Sequence, residues 1–125
     1  MRKMLVAAVI LLVIAIAWSF ESRAIDNICT DMITRLTLLE SYLDEDEGTL
    51  DRAVEEIDSE WRKHEQTLEV LVPHDDTDNV NMKRASIMGC IEKKNYDTAL
   101  LVIRELKAHF EEIRKKSRVT LTNIF

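Results

Sequence analysis

Two glycines and a single proline in 125 residues are too few turn-formers for a β-sandwich or barrel, which turns back about every 8–12 residues. Two cysteines allow one disulfide at most within the chain. Positive charge is also short: 17 Lys and Arg face 23 Asp and Glu, for a net charge of −6. Setting aside the N-terminal cations Arg2 and Lys3 takes the remainder to −8. Such a surface repels phosphate backbones, so nucleic acid is not an expected partner. The chain has no GxSxG elbow, no phosphate-binding glycine loop, no HExxH and no nucleophile beside a base. No enzymatic activity and no cofactor are therefore expected.

What the chain does have is one long apolar run. Met4 to Phe20 carries no charge, glycine or proline, and as a helix it rises about 26 Å, close to the ~30 Å hydrocarbon core of a bilayer. Cations beside a membrane helix stay cytoplasmic, so Arg2 and Lys3 orient the N-terminus inward and send the rest across. Trp18 and Phe20 then fall at the outer interface. A competing reading is a cleaved signal peptide, since Ala15-Ile16-Ala17 has the small-x-small form of a cleavage site. Against cleavage, the apolar run passes beyond that point and helical periodicity resumes at Ile25 without a turn. Residues 1–23 are read as an anchor in the cell membrane, and 24–125 as an extracytoplasmic domain. About 100 residues allow one small domain.

Beyond the anchor, Ile25, Cys29, Met32, Leu36, Leu39 and Leu43 recur in steps of four and three, a heptad seam on one continuous helix. Asp44 to Gly48 reads as its stop. A second helix, capped by Thr49, carries Leu50, Val54, Ile57, Trp61, His64, Leu68 and Leu71 and ends at Pro73. The segment from Pro73 to Asp78 reads as a loop rich in caps. It precedes a third helix through Val80, Ala85, Ile87, Met88 and Ile91, whose stripe Met82 and Gly89 blur. Asn95-Tyr96-Asp97 forms a turn with Asp97 as cap. The fourth helix places Ala99, Leu100, Ile103, Leu106, Phe110 and Ile113 on one face. Val119, Leu121 and Phe125 alternate, which predicts a short extended tail against the bundle. The whole reads as all-α: a transmembrane helix continuing into an antiparallel bundle of about four helices, built as two hairpins. The second and fourth helices also match weakly at an offset of about 46 residues, as two helical-hairpin repeat units would.

Several polar residues are candidates for a site. Cys29 and Cys90 sit on the order of 10 Å apart along the bundle axis, beyond disulfide reach, and are read as small core residues. The alternative is a Cys29 bridge between two copies. His64 and His109 read as hydrogen-bonded residues at the seam. His74, with Asp75, Asp76 and Asp78, is the one cluster with ligand chemistry, although N-capping explains its aspartates. Trp61 on the seam reads as core, with display as a binding hot spot the other possibility.

The Arg2-Lys3 apolar anchor, Glu60-Trp61, His74 after Pro73, Leu106-Lys107 and the ending Leu121-Thr122-Asn123-Ile124-Phe125 occur in an order that resembles a known family. It is the set of small bacterial single-pass membrane proteins of the domain of unknown function numbered four thousand three hundred and sixty-three. The chain departs from that pattern in the more polar Asp75-Asp76-Thr77-Asp78, and in Glu112, where the family tends to carry histidine. The resemblance implies a membrane anchor and a helical outer domain, with no known activity. It singles out His74 as a residue that caps or bridges the loop between hairpins, and Asn123 as one that ties down the tail. The expected role is a protein-protein interaction or accessory module that binds a partner or itself. The alternative is a metal binder or enzyme centred on His74.

Overall fold

The computed structural model describes the backbone of residues 1–124 and the side chains of residues 1–118. The described residues form four helices: α1 (Arg2–Tyr42), α2 (Glu47–Leu71), α3 (His74–Glu92) and α4 (Tyr96–Ile124). They alternate in direction. α1 packs on α2 and α4, and α3 packs on the same two, so each helix has two neighbours, and the diagonal pair α2 and α4 meets through core side chains such as Trp61 and Phe110. The α2–α3 seam is the loosest of the four.

α1 is 41 residues long, about 62 Å at ~1.5 Å per residue, and only its upper half belongs to the bundle. From Ile25 its seam is internal: Ile25, Cys29, Met32, Leu36, Leu39 and Leu43 are all buried, and Ile28 joins them. Each such aliphatic side chain contributes roughly 1.5–3 kcal/mol of apolar transfer on burial, so this one row holds α1 in the bundle. Below Ile25 the apolar side chains from Met4 to Ile14, together with Ile16 and Phe20, are exposed.

The core is closed by aromatic packing. Trp61 of α2 and Phe110 of α4 are both fully buried, with centroids 6.1 Å apart and planes at 63°. That edge-to-face arrangement suits the ring quadrupoles. α4 buries Ala99, Ile103, Leu106, Phe110 and Ile113 as its spacing predicts, with Leu100 partly covered. α3 buries only Val80, Ile87 and Ile91 among its aliphatic residues, and Ala85 is exposed.

The helix ends differ from the expected ones. Asp46, not Thr49, caps α2, accepting a hydrogen bond from the Thr49 amide at 3.0 Å. Gly48 lies inside the first turn and has no left-handed role. α3 starts directly after Pro73, so the expected loop is its first turn, with Asp76 and Thr77 buried in it. Proline pre-sets a helical φ but restricts the residue before it, and Val72 is extended accordingly. Asn95 rather than Asp97 caps α4 through Thr98, at 3.4 Å.

The α3–α4 turn is a Schellman closure: the Asn95 amide donates to the Cys90 carbonyl at 2.8 Å, and the Lys94 amide donates to the Ile91 carbonyl at 3.0 Å. The motif forces Lys94 to φ 60, a position that favours glycine.

The expected extended tail is helical: α4 continues to Ile124. No glycine or proline follows Asn95, so the backbone has nothing to stop it. Arg118 reaches Asp26 at 2.8 Å and Ser117 reaches Ser22 at 3.4 Å, which lays the end of α4 along α1.

Candidate functional site

Among the described residues, polar side chains tie the helices together in several clusters, and four of them hold the buried or partly buried groups with site chemistry. The first joins α2 to α3. Trp61 Nε1 donates to Asn81 Oδ1 at 2.7 Å, and Asn81 Nδ2 donates to Glu65 Oε1 at 3.1 Å. Trp61 is fully buried, so it is core and not a displayed hot spot.

A second tie across the same seam is the Asp58–Arg84 ion pair, with Arg62 at 3.1 Å from the other Asp58 oxygen. It closes over a cavity of about 10 Å³ lined by Leu36, Leu39, Ile57, Ile87 and Leu106, room for at most one water.

The third cluster lies at the end of the bundle nearest the exposed half of α1. His109 Nε2 sits 3.1 Å from the Asp76 carbonyl oxygen and 3.7 Å from its carboxylate, and Lys116 Nζ is 3.8 Å from the same carboxylate oxygen. Asp76 and His109 are both buried, so these contacts compensate the lost hydration of the pair. Beside them opens a cleft of about 300 Å³ between Ile25, Leu71, Val72, Pro73 and Ile113.

The fourth cluster joins α1 to α2. Asp31, Glu60 and His64 bring one ligand atom each within 4.8 Å of one another. His64 is partly buried and hydrogen-bonded, as its seam position predicts, with Nε2 at 3.1 Å from Asp31 Oδ2. Asp31 and Glu60 lie 29 residues apart in the chain and escape a reading by motif. The one signal present is Glu60 four residues before His64, which puts both on one helix face.

The other sequence candidates lie apart from these clusters. His74 is the first residue of α3, with its side chain 77% exposed and an ion pair to Asp78 at 3.7 Å. It does not bridge the hairpins, because the connection it was expected to span is only Val72 and Pro73. Asp76 turns inward from that sequence cluster, which separates it from His74. The side chain of Asn123 lies outside the described residues. Arg2 and Lys3 are exposed at the start of α1, Phe20 is exposed, and Trp18 is partly covered. Ala15, Trp18, Ser19 and Ser22 share that partial cover at helical spacing, so the contact face of α1 extends below Ile25.

Both thiols are free. Cys29 is completely buried, which removes the expected alternative of a Cys29 bridge between copies, and burial pushes its thiol up to about 12. Cys90 is partly buried against the core.

Fold and clusters together define an all-α, four-helix up-and-down bundle whose first helix carries an extra apolar half. The model of the family described as Domain of unknown function (DUF4363) matches residues 19–124, and the chain belongs to that family. No curated protein and no solved structure matches it.

Proposed function

We propose that this protein is a single-pass membrane-anchored accessory module, with residues 4–20 in the cell membrane, the N-terminus cytoplasmic and the bundle outside, where it binds a partner protein or a second copy. The observation that carries this reading is the lower half of α1. It is the one stretch among the described residues long and apolar enough to cross a membrane, and none of its residues is fully buried, with only Ala15, Trp18 and Ser19 of residues 4–20 partly covered. An exposed apolar surface of that size requires another covering phase. Arg2 and Lys3 set the orientation. The helix continues without a break into the bundle core, which favours an anchor over a segment removed after export.

The accessory role rests on the polar clusters, each of which ties helices to one another. The heptad seams are consumed by intramolecular packing. A partner would therefore meet the outer faces of the helices. Crosslinking in native membranes followed by purification through a C-terminal tag tests the role. A reproducible second protein or a self-adduct is expected, and monomer alone would overturn it.

A further inference from the structure

We propose that Asp31, Glu60 and His64 form a site for a divalent transition metal such as Zn²⁺ that bridges α1 and α2. The donor set is one imidazole nitrogen and two carboxylate oxygens, hard and borderline ligands that suit zinc and its neighbours. Tetrahedral zinc with bonds of ~2.0–2.1 Å has ligand-to-ligand edges of ~3.3 Å. Two edges are close to that: His64 Nε2 lies 3.1 Å from Asp31 Oδ2 and 3.7 Å from Glu60 Oε2. One ligand atom from each of the three residues lies within 4.8 Å of the other two, so closing the third edge around a metal asks for a turn of one carboxylate.

The two nearby cations define the site's outer side. Lys63 Nζ lies 3.2 Å from Glu60 Oε1, and Arg35 Nη2 lies 3.6 Å from that same oxygen. Arg35 Nε lies 3.2 Å from Asp31 Oδ1 and also 3.3 Å from Oδ2. Lys63 and Arg35 Nη2 hold the outer oxygen of Glu60, and Arg35 Nε is shared between the two oxygens of Asp31, while Oδ2 and Oε2 are the oxygens nearest the imidazole. Hydrogen-bonded carboxylates of this kind are the usual outer support of a metal ligand. The competing reading is a closed ion-pair network, since two cations balance two anions here. The presence of His64 between the inner oxygens is what such a network does not require.

His64, Asp31 and Glu60 keep 25%, 35% and 21% of their side-chain surface, so a metal has an entry path and a position left for water. Coordination through Nε2 requires the imidazole tautomer whose proton is on Nδ1. A metal here clamps the helix that carries the apolar stretch to its partner in the first hairpin.

The test is Zn²⁺ titration of the full chain in detergent by calorimetry, with histidine ring NMR of the same sample. One equivalent should bind, raise the thermal midpoint and shift the ring signals of His64, but not those of His74 or His109. His64→Gln should lose more than about 100-fold in affinity, Glu60→Gln at least about tenfold, and His74→Gln nothing. No binding to the folded wild type would overturn the proposal, and so would ring shifts at His74 alone. The NMR arm uses the wild type, so the result stands even where a variant fails to fold.

Discussion

Trp61 of α2 donates its indole N–H to Asn81 of α3 at 2.7 Å, while its ring stands edge-on to Phe110 of α4. One side chain thus ties three helices, and it does so at the loosest seam of the bundle. Trp61→Ala should cost roughly 3–5 kcal/mol, as large aromatic truncations in cores do. Trp61→Phe keeps most of the packing but strands the Asn81 oxygen, at about 1–2 kcal/mol. A double-mutant cycle with Asn81→Ala, read by urea unfolding, should return a coupling of ~0.5–1.5 kcal/mol. Simple additivity would show that the hydrogen bond contributes nothing.

Cys29 and Cys90 should react very differently with alkylating reagents. The Cys29 thiol is shut in the core, with its ionisation pushed up to about 12, whereas Cys90 is partly accessible. Mass spectrometry after brief treatment near pH 8 should find the label on Cys90 alone, and on both in urea. The same shift makes a pH prediction. Above the ordinary thiol value of 9.0 the unfolded chain releases a proton that the folded chain retains. Stability should therefore fall as pH rises from 9 toward 12, at up to ~1.4 kcal/mol per unit, and Cys29→Ala should remove that component.

Lys94 occupies a left-handed position that favours glycine. Lys94→Gly relieves about 1 kcal/mol of backbone strain. It also loses an exposed ion pair to Glu47 at 2.8 Å, which is of little value in water. The net expectation is a gain in stability, visible as a higher midpoint in urea.

Glu40 gathers Lys107 at 3.0 Å and Arg104 at 3.2 Å from the facing helix α4. The Lys107 hydrogen bond, with that of Arg104 behind it, holds the carboxyl below its ordinary 4.5. A lowered folded value stabilises the protein above pH 4.5, and that contribution fades as pH falls through the folded value. Glu40→Gln should cost about 0.5–1 kcal/mol at neutral pH. In acid its unfolding curve should converge on that of the wild type.

Three of the four helices were legible because their apolar residues keep strict steps of four and three. Ile25 to Leu43, Leu50 to Leu68 and Ala99 to Ile113 all point inward as those steps require. α3 was blurred for a physical reason: much of what it contributes to the interior is polar, through Thr77, Asn81 and Arg84. The helix caps slipped by two or three residues because acidic and hydroxyl residues crowd every turn, so several satisfy the same rule. Val119 to Phe125 alternates over too few residues to distinguish a strand from a helix that nothing interrupts. The Asp31–Glu60–His64 cluster depends on how α1 and α2 align, which no local spacing records.

In the function proposed above, α1 stays whole and holds the bundle to a bilayer. Cell membranes washed in alkaline carbonate, followed by intact-mass analysis of the protein in the pellet, test it directly. The pellet should hold a chain that keeps its apolar segment, at the full 14.5 kDa of the sequence. A shorter chain that begins after Ala17 and appears in the soluble fraction would contradict it.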